Sequence, residues 1–216
     1  KTTKSEEAKT TGIMAAEHLI TRFREKGEFI QAWGVLGNPD NHRLIIDCNL
    51  NIPLLFWASE VTGEKKYREI AEKHVNTAAG TVVREDGSTF HTYYFDDETG
   101  KPLRGSTAQG SSDDSAWARG QAWGVYGFPL AYKYLKNEKF VSLYKKVTNY
   151  FLNKLPEDNI CYWDLAFDDT SGEEKDTSAA AIAICGILEM DKNLSDTDKN
   201  KKVYMNDITS LSHETL

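Results

Sequence analysis

One interval in this chain repeats a guanidinium and sets an indole in the place of a carboxylate. Arg43, Asp47, Pro53 and Leu54 stand 76 residues before Arg119, Trp123, Pro129 and Leu130, and Asp176 stands 129 residues after Asp47. If these segments repeat one structural unit, Asp47, Arg119 and Trp123 lie at corresponding heights of neighbouring units and face a shared cavity. His91, Gln109, Trp33, Trp117 and the pair Asp113-Asp114 are candidates to join them there. Aromatic faces stack on the apolar faces of sugar rings, and arginine grips a carboxylate through two parallel hydrogen bonds. A uronic acid is a natural guest of such a cavity.

Asp47 carries two opposed readings. Its setting, Leu44-Ile45-Ile46-Asp47-Cys48-Asn49-Leu50, is apolar, and loss of water raises a carboxyl pKa into the range a general acid needs. A place near a helix start would instead hold it as an anion, favoured by the helix dipole, and make it a cap or a paired structural acid. The other residues also have plain structural roles open to them. Arg119 could be an ion-paired surface group, His91 a structural histidine on a half-polar strand, and Trp33 and Trp123 core packing. Asp113-Asp114 reads most simply as a helix N-terminus ahead of Ser115-Ala116-Trp117. The chain has no phosphate-binding loop, no Gly-x-Ser-x-Gly elbow and no His-Glu-x-x-His, so phosphoryl transfer, triad hydrolysis and zinc chemistry have no support, and no metal or other cofactor is expected.

The elements that must position these groups are mostly helical. Leu54, Leu55, Ala58 and Val61, then Tyr67, Ile70, Ala71, His74 and Val75, follow helical steps and are broken at Thr62-Gly63, which predicts a helical hairpin. A second hairpin is expected from Pro129 to Leu155, turning at Lys136-Asn137, with Phe140, Leu143, Tyr144, Val147, Tyr150 and Phe151 as its apolar stripe. The run Asp176–Glu189 fits the same frame, and Gly12–Lys26 predicts an upstream helix. Such pairs cannot bury their faces alone and must stack or close into a ring. Between them, Thr89–Phe95 alternates like a strand before the turn Asp96–Gly100, and Ile160–Trp163 has a similar look. The charged stretch from Asp191 to Lys202 reads as a solvated connection.

With 216 residues and 40% hydrophobic content, the chain can build a sizeable core, read as a single domain over residues 1–216. Its formal charge of −7, from 26 basic and 33 acidic residues, argues against nucleic acid or an anionic membrane as partner. Three cysteines far apart, Cys48, Cys161 and Cys185, make neither a disulfide framework nor a zinc site. No apolar run reaches the roughly 18 residues of a membrane span, and Lys1–Thr11 is polar rather than a leader. The cytoplasm is the expected compartment, although the chain opens on lysine and its native start is expected upstream.

The stretch Ser112-Asp-Asp-Ser-Ala-Trp-Ala-Arg-Gly-Gln-Ala-Trp-Gly-Val-Tyr-Gly-Phe128 closely resembles the main signature of the unsaturated glucuronyl hydrolases, glycoside hydrolase family 88. Ile45–Glu60 is similar to its second signature and Asp176-Thr-Ser-Ala-Ala-Ala-Ile-Ala to a third. The resemblance implies an all-α fold, the (α/α)6 barrel of six helical hairpins. It also implies hydrolysis of the unsaturated uronic acid that lyases leave at the non-reducing end of glycosaminoglycan-type oligosaccharides in bacterial polysaccharide degradation. On the matching positions Asp47 is the implied catalytic acid, and Trp33, His91, Gln109, Arg119 and Trp123 line the substrate pocket. The family's further acid, in a His-Asp-x-Gly-Phe signature, has no match here. Six hairpins of about 50 to 60 residues each need well over 300 residues, so about four are expected. An unsaturated rhamnogalacturonyl hydrolase is the alternative enzyme, and an inactive fragment or a non-catalytic carbohydrate-binding protein the alternative of another class.

Overall fold

The computed structural model describes residues 5–206. Its helices are α1 (Glu6–Ile20), α2 (Ile52–Thr62), α3 (Lys65–Thr81), α4 (Ala118–Leu135), α5 (Glu138–Asn153) and α6 (Thr177–Asp191), followed by a helical segment at 199–206. Both predicted hairpins form. Gly63 ends α2 at φ 78°, a left-handed conformation that costs glycine nothing because it has no Cβ. Lys136 makes the corresponding turn after α4 at φ 52°, and Asn137 caps α5 by accepting from the Lys139 amide.

Hydrophobic patterning sorts these helices into two layers. α3 and α5 bury one stripe each, Tyr67, Ala71, His74, Val75 and Ala78 in the first, Phe140, Tyr144, Val147 and Phe151 in the second. α2, α4 and α6 are rich in alanine, glycine and leucine on several sides, as suits helices packed between neighbours. α4 runs against both α5 and α6, and α2 against α1 and α3. One core continues from Leu55 and Phe56 through Phe128 and Phe140 to Ile187 and Met190. The described residues thus hold two whole hairpins flanked by α1 on one side and by α6 with 199–206 on the other.

α4 begins eleven residues before the predicted hairpin start, and Pro129 lies inside it. Proline has no N–H, so the carbonyl of Val125 loses its helical donor. Gly186 of α6 lies against that carbonyl: a Cβ added there would come within 2.6 Å of the Val125 oxygen. The upstream helix is also displaced. α1 starts earlier because Ser5 accepts from the Ala8 amide with Glu6 and Glu7 in the first turn, and it ends at Ile20. Phe23–Arg24, predicted to prolong it, instead form β1, which pairs antiparallel with β2 (Phe29–Ile30), and the pair buries Phe23, Phe29 and Ile30. The expected solvated connection covers 192–198 only; Tyr204 in the following helix is buried with its ring edge-on to Tyr144.

The strand predicted over Thr89–Phe95 narrows to β4 (Thr92–Phe95), the centre of a three-stranded antiparallel sheet with β3 (Arg43–Ile45) and β5 (Pro102–Ser106). Arg43 pairs with Tyr94, and Tyr94 with Arg104. The turn into β5 closes where Asp96 accepts from the amide and hydroxyl of Thr99. Ile160–Trp163 contributes only an isolated bridge, Tyr162 to Lys175. No helix among the described residues is long and apolar enough to cross a membrane.

Candidate active site

β3 runs directly into a 3₁₀-helix, Ile46–Leu50, whose side chains at Ile46, Cys48 and Asn49 are buried. That alternation turns Asp47 the other way, into a half-exposed hollow beside His91. The short helix packs closely on α4, where Gly124 faces the Ile46 side chain and Gly127 faces Asn49. A Cβ at 127 would come within 2.7 Å of Asn49 Cβ and push the 3₁₀-helix, and Asp47 with it, away from α4, whereas at 124 the tip of Ile46, 3.3 Å away, would have to give slightly.

The carboxyl of Asp47 keeps 32% exposure, but its Oδ2 is buried and accepts no hydrogen bond among the described residues. Burial pushes its pKa up to about 6, against the opposing pull of its own backbone amide and of Arg119. Desolvation therefore prevails over the helix-start effect that the sequence left open.

His91 directly precedes β4, and its Nε2 lies 3.8 Å from Asp47 Oδ2. Its Nδ1 accepts from the Ala108 amide at 3.1 Å, which leaves the ring proton on Nε2, facing the carboxyl. Burial, then the charge of Arg43, depress the His91 pKa to about 4. At neutral pH the ring is uncharged, and no ion pair forms with Asp47. On one side His91 packs against Trp117 with ring centres 4.6 Å apart; on the other lies Trp33 at 6.2 Å.

Arg119, in the first turn of α4, has its guanidinium over the Trp117 ring at 4.9 Å. Its Nη1 donates to Asp176 Oδ2 at 2.8 Å and to Ser178 Oγ at 2.9 Å. Asp176 also caps α6, accepting from the Ala179 amide, so one carboxylate joins the starts of α4 and α6. Trp123, one turn further along α4, packs against the cluster containing Leu44 and Ile46, and its buried Nε1 has no acceptor among the described residues.

Asp47, His91 and Trp33 are thus brought together, Arg119 acts on the Asp47 carboxyl through its charge, and Trp123 packs on the cluster containing Ile46, the residue before Asp47. Gln109 is less engaged: it is exposed in the bend at 108–110, next to the amide that orients His91. Asp113-Asp114 does not start a helix. Helix α4 begins at Ala118, and Asp113 instead accepts from the Ser106 hydroxyl and the Thr107 amide, because the loop folds back on β5 before the helix starts. Sequence reasoning missed Asp176 as the partner of Arg119 and Arg43 as a wall of the hollow. Both already stood out in the repeat, where Asp176 matches Asp47 and Arg43 matches Arg119. Among the described residues no group of three or more His, Cys, Asp or Glu side chains could hold a metal ion.

The sequence profile of Glycosyl Hydrolase Family 88 matches residues 1–215. An unsaturated chondroitin disaccharide hydrolase of Streptococcus pneumoniae is 57% identical over 198 residues, 92% of this chain and 50% of that protein. The crystal structure of an unsaturated glucuronyl hydrolase from Streptococcus agalactiae superposes with a TM-score of 0.96 at 53% identity, covering 98% of this chain and 53% of that one. A variant of the Streptococcus agalactiae unsaturated glucuronyl hydrolase complexed with dGlcA-GalNAc6S superposes at 0.82 with 47% identity, covering 98% and 51%. This chain spans about half the length of the relatives it matches. Its hairpins are therefore part of an α/α barrel, and the chain belongs to Glycosyl Hydrolase Family 88.

Proposed function

We propose that the protein hydrolyses unsaturated glucuronyl oligosaccharides of glycosaminoglycan type, with this chain supplying the acid-bearing part of one barrel domain. The observation that carries this reading is a single carboxyl with its pKa raised to about 6 between a neutral histidine, two tryptophans and an arginine. The unsaturated uronate is a vinyl ether, with a C4=C5 double bond conjugated to the ring oxygen. Asp47 gives its proton to C4, and the resulting positive charge at C5 is shared with the ring oxygen. Water then adds to C5 and passes its proton to the Asp47 carboxylate. The hemiketal opens, and the neighbouring sugar leaves as an alcohol. Ordinary glycosidases instead flank the glycosidic bond with two carboxyls; this chemistry needs one.

The remaining side chains take consistent roles. His91 directs its Nε2 proton toward Asp47 and offers no competing positive charge. Trp123 and Trp33 provide faces for the sugar, Arg119 attracts the uronate carboxylate, and Gln109 reaches the substrate from the loop beside His91. The names of the relatives favour a chondroitin-type disaccharide over the rhamnogalacturonyl alternative. No cofactor enters these steps. The cytoplasm is the compartment proposed, since Cys48, Cys161 and Cys185 all remain free thiols.

The intact protein is expected to abolish the ultraviolet absorbance of the double bond in an unsaturated chondroitin disaccharide, with kcat falling as pH rises above about 6, where Asp47 loses its proton. Asp47→Asn is expected to lower kcat by a factor of about a thousand or more, of the order of a lost general acid, while the substrate still binds. Turnover of only a rhamnogalacturonyl disaccharide would transfer the assignment to that substrate, and undiminished turnover by the Asn variant would reject Asp47 as the acid.

A further inference from the structure

The exposed face of the three-stranded sheet carries a cross-strand row that the proposed reaction does not use. Arg43, Tyr94 and Arg104 stand opposite one another on β3, β4 and β5. The Arg104 guanidinium lies over the Tyr94 ring at 4.3 Å, and that of Arg43 lies 5.1 Å from the centre of the same ring and donates to the Tyr94 hydroxyl. Arg43 in turn covers Trp33 at 4.2 Å, and Trp33 faces His91 beside Asp47. A continuous line of cations and aromatic rings thus leads outward from the hollow.

The charges in this row are uncompensated. Arg119 has an ion-pair partner, Asp176, which its Nη1 reaches at 2.8 Å. Neither Arg43 nor Arg104 has a carboxylate within 4 Å among the described residues, although the chain is acidic overall. The Nε of Arg43 is buried and has no acceptor among the described residues. Asp113, which feels the charge of Arg104, is already committed to Ser106 and Thr107. An unpaired guanidinium held flat on an aromatic ring keeps its edge free for an oxyanion, and the ring beside it offers a stacking face for a sugar.

We propose that Arg104, Tyr94, Arg43 and Trp33 form a track that binds the oxyanions of an acidic oligosaccharide whose unsaturated end lies at Asp47. The track rests on the hydrolase reading for its location and extends it, making a longer acidic chain a better ligand than a disaccharide. Arginine takes a carboxylate and a sulfate ester by the same two-pronged geometry, so either group on the later sugars is a ligand of the same chemistry.

The test uses the intact protein, with unsaturated disaccharide and unsaturated tetrasaccharide from chondroitin, each with and without sulfate. Calorimetry gives Kd, and hydration of the double bond gives KM. Arg104→Gln is expected to weaken tetrasaccharide binding about tenfold, the size of one lost charge-assisted hydrogen bond, and to change the disaccharide far less. Arg104→Lys should recover part of the loss. A loss confined to the sulfated tetrasaccharide identifies the sulfate as the bound group; a loss with both identifies the ring carboxylate. An unchanged ratio of tetrasaccharide to disaccharide affinity overturns the track. Failure of the wild-type protein to hydrate any of these substrates overturns the hydrolase reading instead, and the calorimetric ratio still decides the track.

Discussion

Asp47 and His91 oppose each other in their response to pH, and this can be measured without substrate. The carboxyl is raised from 3.8 to about 6, so between those values the folded protein holds a proton that the unfolded chain has released. Stability from this group therefore declines as pH rises through that window, and the full penalty applies above it. His91 is depressed from 6.5 to about 4, so its contribution is present above 6.5 and is lost as pH falls toward 4. The wild-type curve mixes the two. The difference between Asp47→Asn and wild type isolates the carboxyl: the variant is expected to match wild type near pH 4 and to be more stable at pH 7, read from Tm at each pH. Parallel Tm curves would show that Asp47 is solvated as in an ordinary peptide. The apolar run around Asp47 made its candidacy legible in the sequence, but its titration was not. That depends on one oxygen being buried without a donor, and on a neutral ring facing it, neither of which spacing encodes.

At the scale of elements, Gln121 joins what the sequence separates. Fully buried in α4, it donates to the carbonyls of Gly87 and Val147 and accepts from the Thr89 hydroxyl. It thereby ties the turn leading to His91, and α5, to the helix that carries Arg119 and Trp123. Gln121→Leu keeps the volume but strands the Gly87 carbonyl and the Thr89 hydroxyl, at a cost of about 2–4 kcal/mol. Urea unfolding of the two proteins checks this; a shift under about 0.5 kcal/mol, the range of an ordinary surface substitution, would mean that the turn finds other partners. The hairpins were legible because Tyr67, Ala71 and Val75, and Phe140, Tyr144 and Val147, keep helical spacing up to Gly63 and Lys136. The start of α4 was not, because Trp117, rather than the two aspartates before it, holds the N-cap position, and no side chain there bonds the helix. A helix entered by packing alone leaves no capping signature.

Across the whole molecule, the three cysteines report on the core. Cys48 and Cys161 are buried, and burial pushes both thiols up to about 12, whereas Cys185 is exposed on α6. Thiolate is the reactive form. One thiol is expected to react quickly with a disulfide reagent in the folded chain and all three after denaturation; more than one fast thiol in the folded chain would contradict this packing. One shift of 76 residues aligned four positions and suggested a repeat across the molecule. It does not map helix onto helix: Asp47 lies ahead of α2, whereas its counterpart Trp123 lies well inside α4.

The contact between Gly186 and the carbonyl freed by Pro129 has a mechanical consequence for the hollow. It works as a dovetail, with a missing donor on one rail and a missing methyl on the other. Ten residues toward the start of α6, roughly 15 Å along its axis at the usual helical rise, Asp176 grips Arg119. The joint and the grip together resist any slide of α6 along α4, so the guanidinium is registered against the carboxyl at 47 by carpentry that begins at the far joint.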